Sequence, residues 1–292
     1  MSRYPADLDR WRRAGQIAGQ ARELGLRLAR PGTPRKDLAD RIEAFIRDHG
    51  AEPAFPTNLS RNWEAAHYTP SETDPELLAA GDLLKVDVGA HIEGAIADTA
   101  GTVEVGDTHR HDRLVRAVYD AVDAGIRAVR PGGSVDAVSR AIERAIHAQG
   151  YKPVVDLTGH TIEPYLLHAG KAIPSVGGYS TASLEEGEVV AIEPFVTNGD
   201  GHIEDGPFGN IVRFRTDPGN KDPLVARAFA RFRTLPFTTR WVSDPDEKAA
   251  LKRARRLLQT YPVFVETGRG WVAQAEHTIL VGPAGAEILT AA

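Results

Sequence analysis

No cysteine occurs among the 292 residues. Its absence excludes disulfides, thiolate zinc sites and a cysteine nucleophile, so any metal falls to carboxylates and imidazoles. Long apolar runs are missing too: none could span a bilayer, and the opening Met1-Ser-Arg-Tyr-Pro-Ala-Asp7 lacks the apolar core of a signal peptide. The expectation is a soluble, cytoplasmic chain with no membrane partner. Nor is there an excess of positive charge, and a net charge of −5 argues against a dedicated nucleic-acid binder. What is present, 42% hydrophobic and 26% charged residues, suits one large α/β core or two small domains.

The chain is organised around residues 84–103, two apolar strand-like runs around Glu93-Gly94, which predict a β-hairpin. A hairpin closed by an even number of loop residues pairs positions whose numbers sum to an odd value, and that parity puts Asp87 and Asp98 on one sheet face. Two anions on an otherwise apolar face raise each other's pKa, and a divalent metal between them is the usual answer. The alternative is two surface acids on an edge hairpin. Asp is disfavoured inside strands, and the apolar flanks favour metal or catalytic use.

Residues 7–30 repeat apolar or small side chains at helical spacing, from Leu8 and Trp11 to Leu28, and stop at Pro31-Gly32. Thr33-Pro34 reads as the N-cap and first position of a second helix ending at Gly50. The plan returns one hundred residues later. Residues 112–130 are helical, Arg130-Pro-Gly132 echoes Arg30-Pro-Gly32, and Ser134 caps a helix that stops at Gly150. Gly187-Glu-Val-Val-Ala-Ile-Glu193 then matches Gly81-Asp-Leu-Leu-Lys-Val-Asp87, so the chain carries an internal repeat. Two such halves predict a pseudo-symmetric fold whose repeated carboxylates converge on the axis.

The second half adds His160 and His168, eight residues apart in the approach to Glu193, as His67 lies in the approach to Asp87. His49, His91, His109, His111, His147 and His202 are assigned to scaffold or surface. Residues 271–281 read as a strand with a buried-looking Glu276, and alternation puts Glu276 and His277 on opposite faces.

These segments together resemble the methionine aminopeptidases of the type II class, within the pita-bread metallopeptidase fold. The matches are Phe55-Pro-Thr-Asn58, Ala65-Ala-His-Tyr-Thr-Pro70, Asp87-Val-Gly89 with Asp98-Thr99, Gly159-His160 through Tyr165 to His168-Ala-Gly170, Ala191-Ile-Glu193, and Gln274-Ala-Glu276-His-Thr278, in order over nearly the whole chain. The resemblance implies an α/β (α+β) fold, a pseudo-two-fold arrangement with a central antiparallel sheet flanked by helices. Residues 1–197 and 270–292 would form the catalytic domain, and 198–269 an inserted, mainly helical subdomain.

The resemblance also implies a site. It carries five metal ligands onto Asp87, Asp98, His160, Glu193 and Glu276, holding two divalent ions (cobalt, manganese, iron or zinc). Asp98 and Glu276 would be shared between the ions, and Glu193 would also shuttle a proton. His168 would donate to the scissile carbonyl oxygen, and His67 would contact the amide or amine side. Phe55 and Leu167 would wall an apolar slot suited to a thioether. The implied activity is removal of the N-terminal methionine of nascent proteins when the second residue is small, by metal-activated water, in a monomer. Two alternatives stand beside it: an X-Pro dipeptidase or aminopeptidase, which usually carries a further N-terminal domain, and a non-catalytic binding protein on the same fold, which would have lost ligands.

Within the insertion, residues 246–258 read as a basic helix bearing Lys248, Lys252, Arg253, Arg255 and Arg256. A solvated face is the simpler reading; weak ribosome association through RNA is the other. The insertion also poses a question of register, because repeat spacing nominates Glu204 as the partner of Asp98. Glu204 sits in a glycine-flanked stretch without a strand pattern, so the return strand is assigned to Glu276, delayed by the insertion.

Overall fold

The computed structural model describes Pro5, residues 7–106 and residues 108–292; the other residues of the 1–197 segment lie outside it. The predicted helix pairs are α1 (Leu8–Leu28) with α2 (Arg35–Asp48), and α3 (Asp112–Ala128) with α4 (Val135–Ala148). Each pair turns its apolar stripe onto one half of the sheet. Ala14, Ala18, Leu38 and Ile42 pack on Leu84, Val86 and Val88, whereas Val118, Val122, Val138 and Ile142 pack on Val190, Ile192 and Ile279. The turns Arg30-Pro-Gly32 and Arg130-Pro-Gly132 share a left-handed glycine, with φ of 83° and 70°. Ser134 caps α4 by accepting from the Asp136 N–H, as expected. Thr33 does not cap α2: Pro34 takes the cap position, and the Thr33 hydroxyl donates to the Leu28 carbonyl at 3.4 Å.

The main sheet has eight antiparallel strands. Its order is Glu52–Arg61, Leu83–Ile92, Ala95–Glu104, Glu276–Gly282, Val189–Ile192, Thr158–Ile162 and Ala172–Pro174, with Gly285–Ile288 also paired on Glu276–Gly282. The returning strands of the two predicted hairpins therefore meet in the middle. In the first hairpin Ile92 pairs with Ala95 across Glu93 and Gly94, whose φ values of 48° and 90° mark a type I′ turn. Asp87 lies opposite Ala100 and Asp98 opposite Gly89, so the two carboxylates share a face.

The central seam is stitched by hydroxyls. Backbone pairing between the middle strands is confined to Glu276 with Ala100 and His277 with Thr99. Beside it, the Thr278 hydroxyl accepts from the Asp98 N–H and donates to the Asp98 carbonyl, both at 2.7 Å. The Thr102 hydroxyl does the same to Gln274 at 2.8 and 2.6 Å, and the Thr99 hydroxyl donates to the Glu276 carbonyl at 2.7 Å. Threonine supplies a donor and an acceptor in one group, so each buried backbone pair is satisfied with a side chain interposed.

The segment 198–269 is not mainly helical. An antiparallel ribbon, Ile203–Phe214 with Leu258–Glu266, forms its stem, and Glu64–Ala66 pairs onto that ribbon. Only between these strands do helices appear: α5 (Pro223–Phe232) and α6 (Pro245–Arg253), capped by the carboxylates of Asp222 and Asp244. Phe214, Phe232, Phe237, Val242 and Leu251 give this segment its own apolar cluster. The predicted basic helix ends at Arg253 and continues as the turn Arg255–Leu257. Two of its cations are engaged within the chain, Lys248 with Glu72 and Arg253 with Asp222. Among the described residues no helix is long and apolar enough to cross a membrane.

Candidate metal centre

Asp87, Asp98, His160, Glu193 and Glu276 line a single cavity of about 230 Å³. They arrive from five neighbouring strands of the sheet, with Glu193 one residue beyond the end of Val189–Ile192. Asp98, His160 and Glu276 form the tightest group, each offering a ligand atom within 4.8 Å of the others. Glu193 joins it through His160, whose Nε2 lies 3.3 Å from Glu193 Oε1 and 3.7 Å from Asp98 Oδ2. His160 Nδ1 sits 3.4 Å from the Thr161 carbonyl, and donating there leaves the Nε2 lone pair facing the carboxylates.

Asp87 is held by two amides that sequence reasoning did not single out. Asn58 Nδ2 donates to its Oδ2 at 3.3 Å, and Gln274 Nε2 reaches the same oxygen at 3.4 Å and Glu276 Oε2 at 3.5 Å. Both lay inside matched segments, Phe55-Pro-Thr-Asn58 and Gln274-Ala-Glu276, but an amide gives no charge signal. Gly89 matters by its smallness: a Cβ there would stand 2.3 Å from the Phe55 ring, which occupies the space beside Asp98's strand position.

The electrostatics ask for a cation. Burial, and then the charges of its neighbours, push Asp98, Glu193 and Glu276 well above the ordinary carboxylate range. Burial likewise raises Asp87 to about 6, against the pull of the Asn58 and Gln274 amides. Asp87 Oδ1, Asp98 Oδ1 and Glu276 Oε1 are buried without any hydrogen-bond partner. Among the described residues no lysine or arginine pairs with these four acids. Arg22 is the near exception: buried on the opposite face, it donates to the Thr99 hydroxyl at 2.6 Å and opposes the rise of Glu276, without outweighing burial and the neighbouring acids. Buried orphan carboxylate oxygens beside an imidazole lone pair are a donor set for divalent transition metals.

The other candidates stand around this floor. The His168 ring centroid is 4.3 Å from that of His160, and His67 meets Tyr261 edge-on at 5.3 Å and Phe264 at a tilt at 4.6 Å. Burial in the cleft lowers both, helped by His168 in the case of His67 and by His160 and Arg213 in the case of His168, taking His67 to about 4 and His168 to about 3, so both rings are neutral at pH 7. His67 adopts a left-handed backbone, φ 67°, rare for a residue with a side chain, and its buried Nδ1 has no partner. Phe55 and Leu167 form part of the cavity's apolar wall. Ile211, Pro236, Tyr261 and Phe264 complete it from the 198–269 segment, and nothing in their local sequence marks them. Glu204 does not line this cavity; it lies in the ribbon rather than in a loop, exposed and paired with Arg269 at 2.9 Å. Pro207, Gly206 and Gly209, with two register shifts, hide that strand's alternation.

The sequence profile of Metallopeptidase family M24 matches residues 9–283. The methionine aminopeptidase of Pyrococcus abyssi is 42% identical over 286 residues, spanning 94% of this chain and 96% of its own. That of Archaeoglobus fulgidus is 42% identical over 287 residues, spanning 95% and 96%. The chain belongs to Metallopeptidase family M24. Solved structures agree on the fold: methionine aminopeptidase from Thermotoga maritima superposes with a TM-score of 0.75 at 24% identity, covering 99% of this chain and 98% of that one. A thermophilic Arx1 superposes with a TM-score of 0.83 at 19% identity, covering 98% and 91%. Prolidase from Pyrococcus furiosus gives 0.65 at 18%, covering 98% of this chain but 64% of that one.

Proposed function

We propose that this chain is a methionine aminopeptidase, cleaving the first peptide bond of chains that begin with methionine and a small second residue. The observation that carries the reading is the coincidence, in one cavity, of three buried carboxylates, the partly buried Glu193 and an imidazole with an apolar wall of Phe55 and Leu167. Relatives bearing that name over nearly the full chain support it. We further propose that Asp87, Asp98, His160, Glu193 and Glu276 hold two divalent cations, since four carboxylates balance two such charges. When bound, the pair supplies Lewis acidity to the scissile carbonyl and makes water easier to deprotonate.

The rest of the work falls to the chain. Glu193, beside His160 Nε2, accepts the proton of the attacking water and can return it to the leaving amine. His168, neutral at pH 7, donates its N–H to the carbonyl oxygen as negative charge develops there. His67 contacts the amide or amine side of the substrate with its free Nδ1. The apolar wall takes the methionine side chain, where a flexible thioether fills an irregular slot at little conformational cost. The deciding experiment reconstitutes metal-free protein with manganese, cobalt, iron or zinc in turn and measures hydrolysis of Met-Ala-Ser and of an X-Pro peptide. Cleavage of the first by at least one metal form is expected; cleavage of the X-Pro peptide alone, or of neither, overturns the reading.

A further inference from the structure

Helix α2 presents one carboxylate that the proposed chemistry does not use. Glu43 is 1% exposed, yet both of its oxygens are fully engaged. Oε1 accepts from the Thr57 N–H at 3.1 Å and from Arg240 Nη2 at 2.7 Å. Oε2 accepts from Arg240 Nη1 at 2.8 Å and from the Trp241 indole N–H at 2.6 Å.

These donors come from two segments far apart in sequence, each of which also contributes residues to the cavity lining. Thr57 lies in the strand Glu52–Arg61 where the register slips between Phe55 and Asn58. Phe55 pairs with Gly89 and Asn58 with Asp87, so the strand spends one extra residue there and bulges. The bulge brings Phe55 to the apolar wall and Asn58 to Asp87, and Glu43 accepts the amide that the bulge leaves out of the ladder. Arg240 and Trp241 belong to the 198–269 segment. A few residues before them, Pro236 lines the cavity, and Leu235 packs in one buried cluster with Phe55 and Leu167.

We propose that Glu43 is a positioning residue that sets the width of the side-chain pocket, by tying the Phe55 bulge and the Leu235-Pro236 wall to one point on α2. The idea rests on the cavity being the seat of the substrate's first side chain. A hydrogen-bonded charge pair at this burial, 6% for Arg240 and 1% for Glu43, is geometrically demanding: displacing Arg240 leaves Glu43 buried without a cation, whereas Arg240 keeps a second partner on α2, Asp40. The 198–269 segment is thereby fixed to the sheet's far edge independently of its own ribbon.

The test uses Glu43→Gln, which keeps the shape and loses the charge, with Trp241→Phe as the milder variant. Each is measured as metal-loaded full chain for KM and kcat on Met-Ala-Ser and on a peptide with a bulkier first residue, Phe-Ala-Ser. Metal content and amide hydrogen exchange are followed in parallel. For Glu43→Gln we expect KM on Met-Ala-Ser to rise about tenfold, with kcat within about twofold of wild type and the preference for methionine reduced. Metal content should stay at the wild-type value, and exchange should quicken together at Thr57 and over residues 235–241. Trp241→Phe should move KM the same way by about twofold to threefold, and it carries the test if Glu43→Gln does not fold. Unchanged KM and preference in a folded variant, or exchange that quickens at one wall only, overturns the proposal. So does loss of metal with a fall in kcat, which would place the effect on Asp87 through Asn58. If the wild-type protein turns over no methionyl peptide, it is the functional reading that fails, and the exchange at the two walls still decides whether Glu43 couples them.

Discussion

The two halves of the molecule reach the same floor by different routes. In the first, Asp87 and Asp98 are joined by a two-residue turn, and the flanking strand contributes an amide, Asn58, that holds Asp87. In the second, the strand before Glu193 and the strand opening with Glu276 are separated by the ribbon and helices of residues 198–269, and the flanking strand contributes an imidazole, His160. Symmetry fixes where the carboxylates meet. Asymmetry decides what surrounds them: one half closes locally and supplies rigidity, whereas the other supplies the nitrogen donor and, through its interruption, much of the apolar wall. Loop closure costs only about 0.6 kcal/mol for each doubling of length, so the interruption is tolerable once it folds on itself.

The comparison is broken most severely at the proposed ligands. Asp87→Ala and His160→Ala, one from each half, should each lower kcat/KM on Met-Ala-Ser by roughly a thousandfold or more while the circular dichroism stays native. Wild-type-like turnover by metal-saturated Asp87→Ala would show that the first half is scaffold only. The second hairpin's assignment is sharpened by Glu276→Gln against Glu204→Gln. Metal titration should find affinity reduced by roughly a hundredfold in Glu276→Gln and unchanged in Glu204→Gln. Metal loss in the latter alone would return the strand to the wrong acid. His67→Ala and His168→Ala come next, with both metals retained and kcat lower by about tenfold to a thousandfold if they act on developing charge. Metal loss from either would make it a ligand.

The smallest effect concerns stability without metal. Asp87, Asp98, Glu193 and Glu276 have folded-state pKa values above their unfolded ones, so the folded chain holds protons that the unfolded chain has released. The resulting penalty is absent below the ordinary carboxylate range near 4. It grows as pH rises through about 6, the value for Asp87, and beyond. Metal-free Glu276→Gln, with one such acid removed, should melt roughly a few degrees above metal-free wild type at pH 8 and level with it near pH 4.5. The buried histidines oppose this trend equally in both proteins and cancel. A difference independent of pH would mean that repulsion within the cluster is not its cause.

Much of this was legible from local pattern. The Asp87–Asp98 geometry follows from hairpin parity, the helix pairs follow from their apolar stripes, and the repeat places Glu193. What escaped needed distance in sequence. Asn58 and Gln274 are neutral, and their importance lies in what they face. Pro236, Tyr261 and Phe264 reach the cavity only after the ribbon folds back. The ribbon was hidden by glycine, proline and register shifts that erase alternation. Thr33 escaped for the opposite reason: a favourable cap residue lost its position to Pro34 because its hydroxyl found the Leu28 carbonyl.

The hydroxyl seam also sets an order of events. Thr99 reaches the Glu276 carbonyl across 177 positions of sequence, and the Thr278 bonds to Asp98 span 180. Contacts of such separation close late, because the chain must be ordered before they contribute. The strand that supplies Glu276 follows the whole 198–269 segment, so the proposed metal centre is completed only after that segment has been made. A partly made chain has the first hairpin, Asp87 and Asp98, but lacks their counterpart across the seam. The proposed site is thus assembled late in folding, by bonds of long sequence separation.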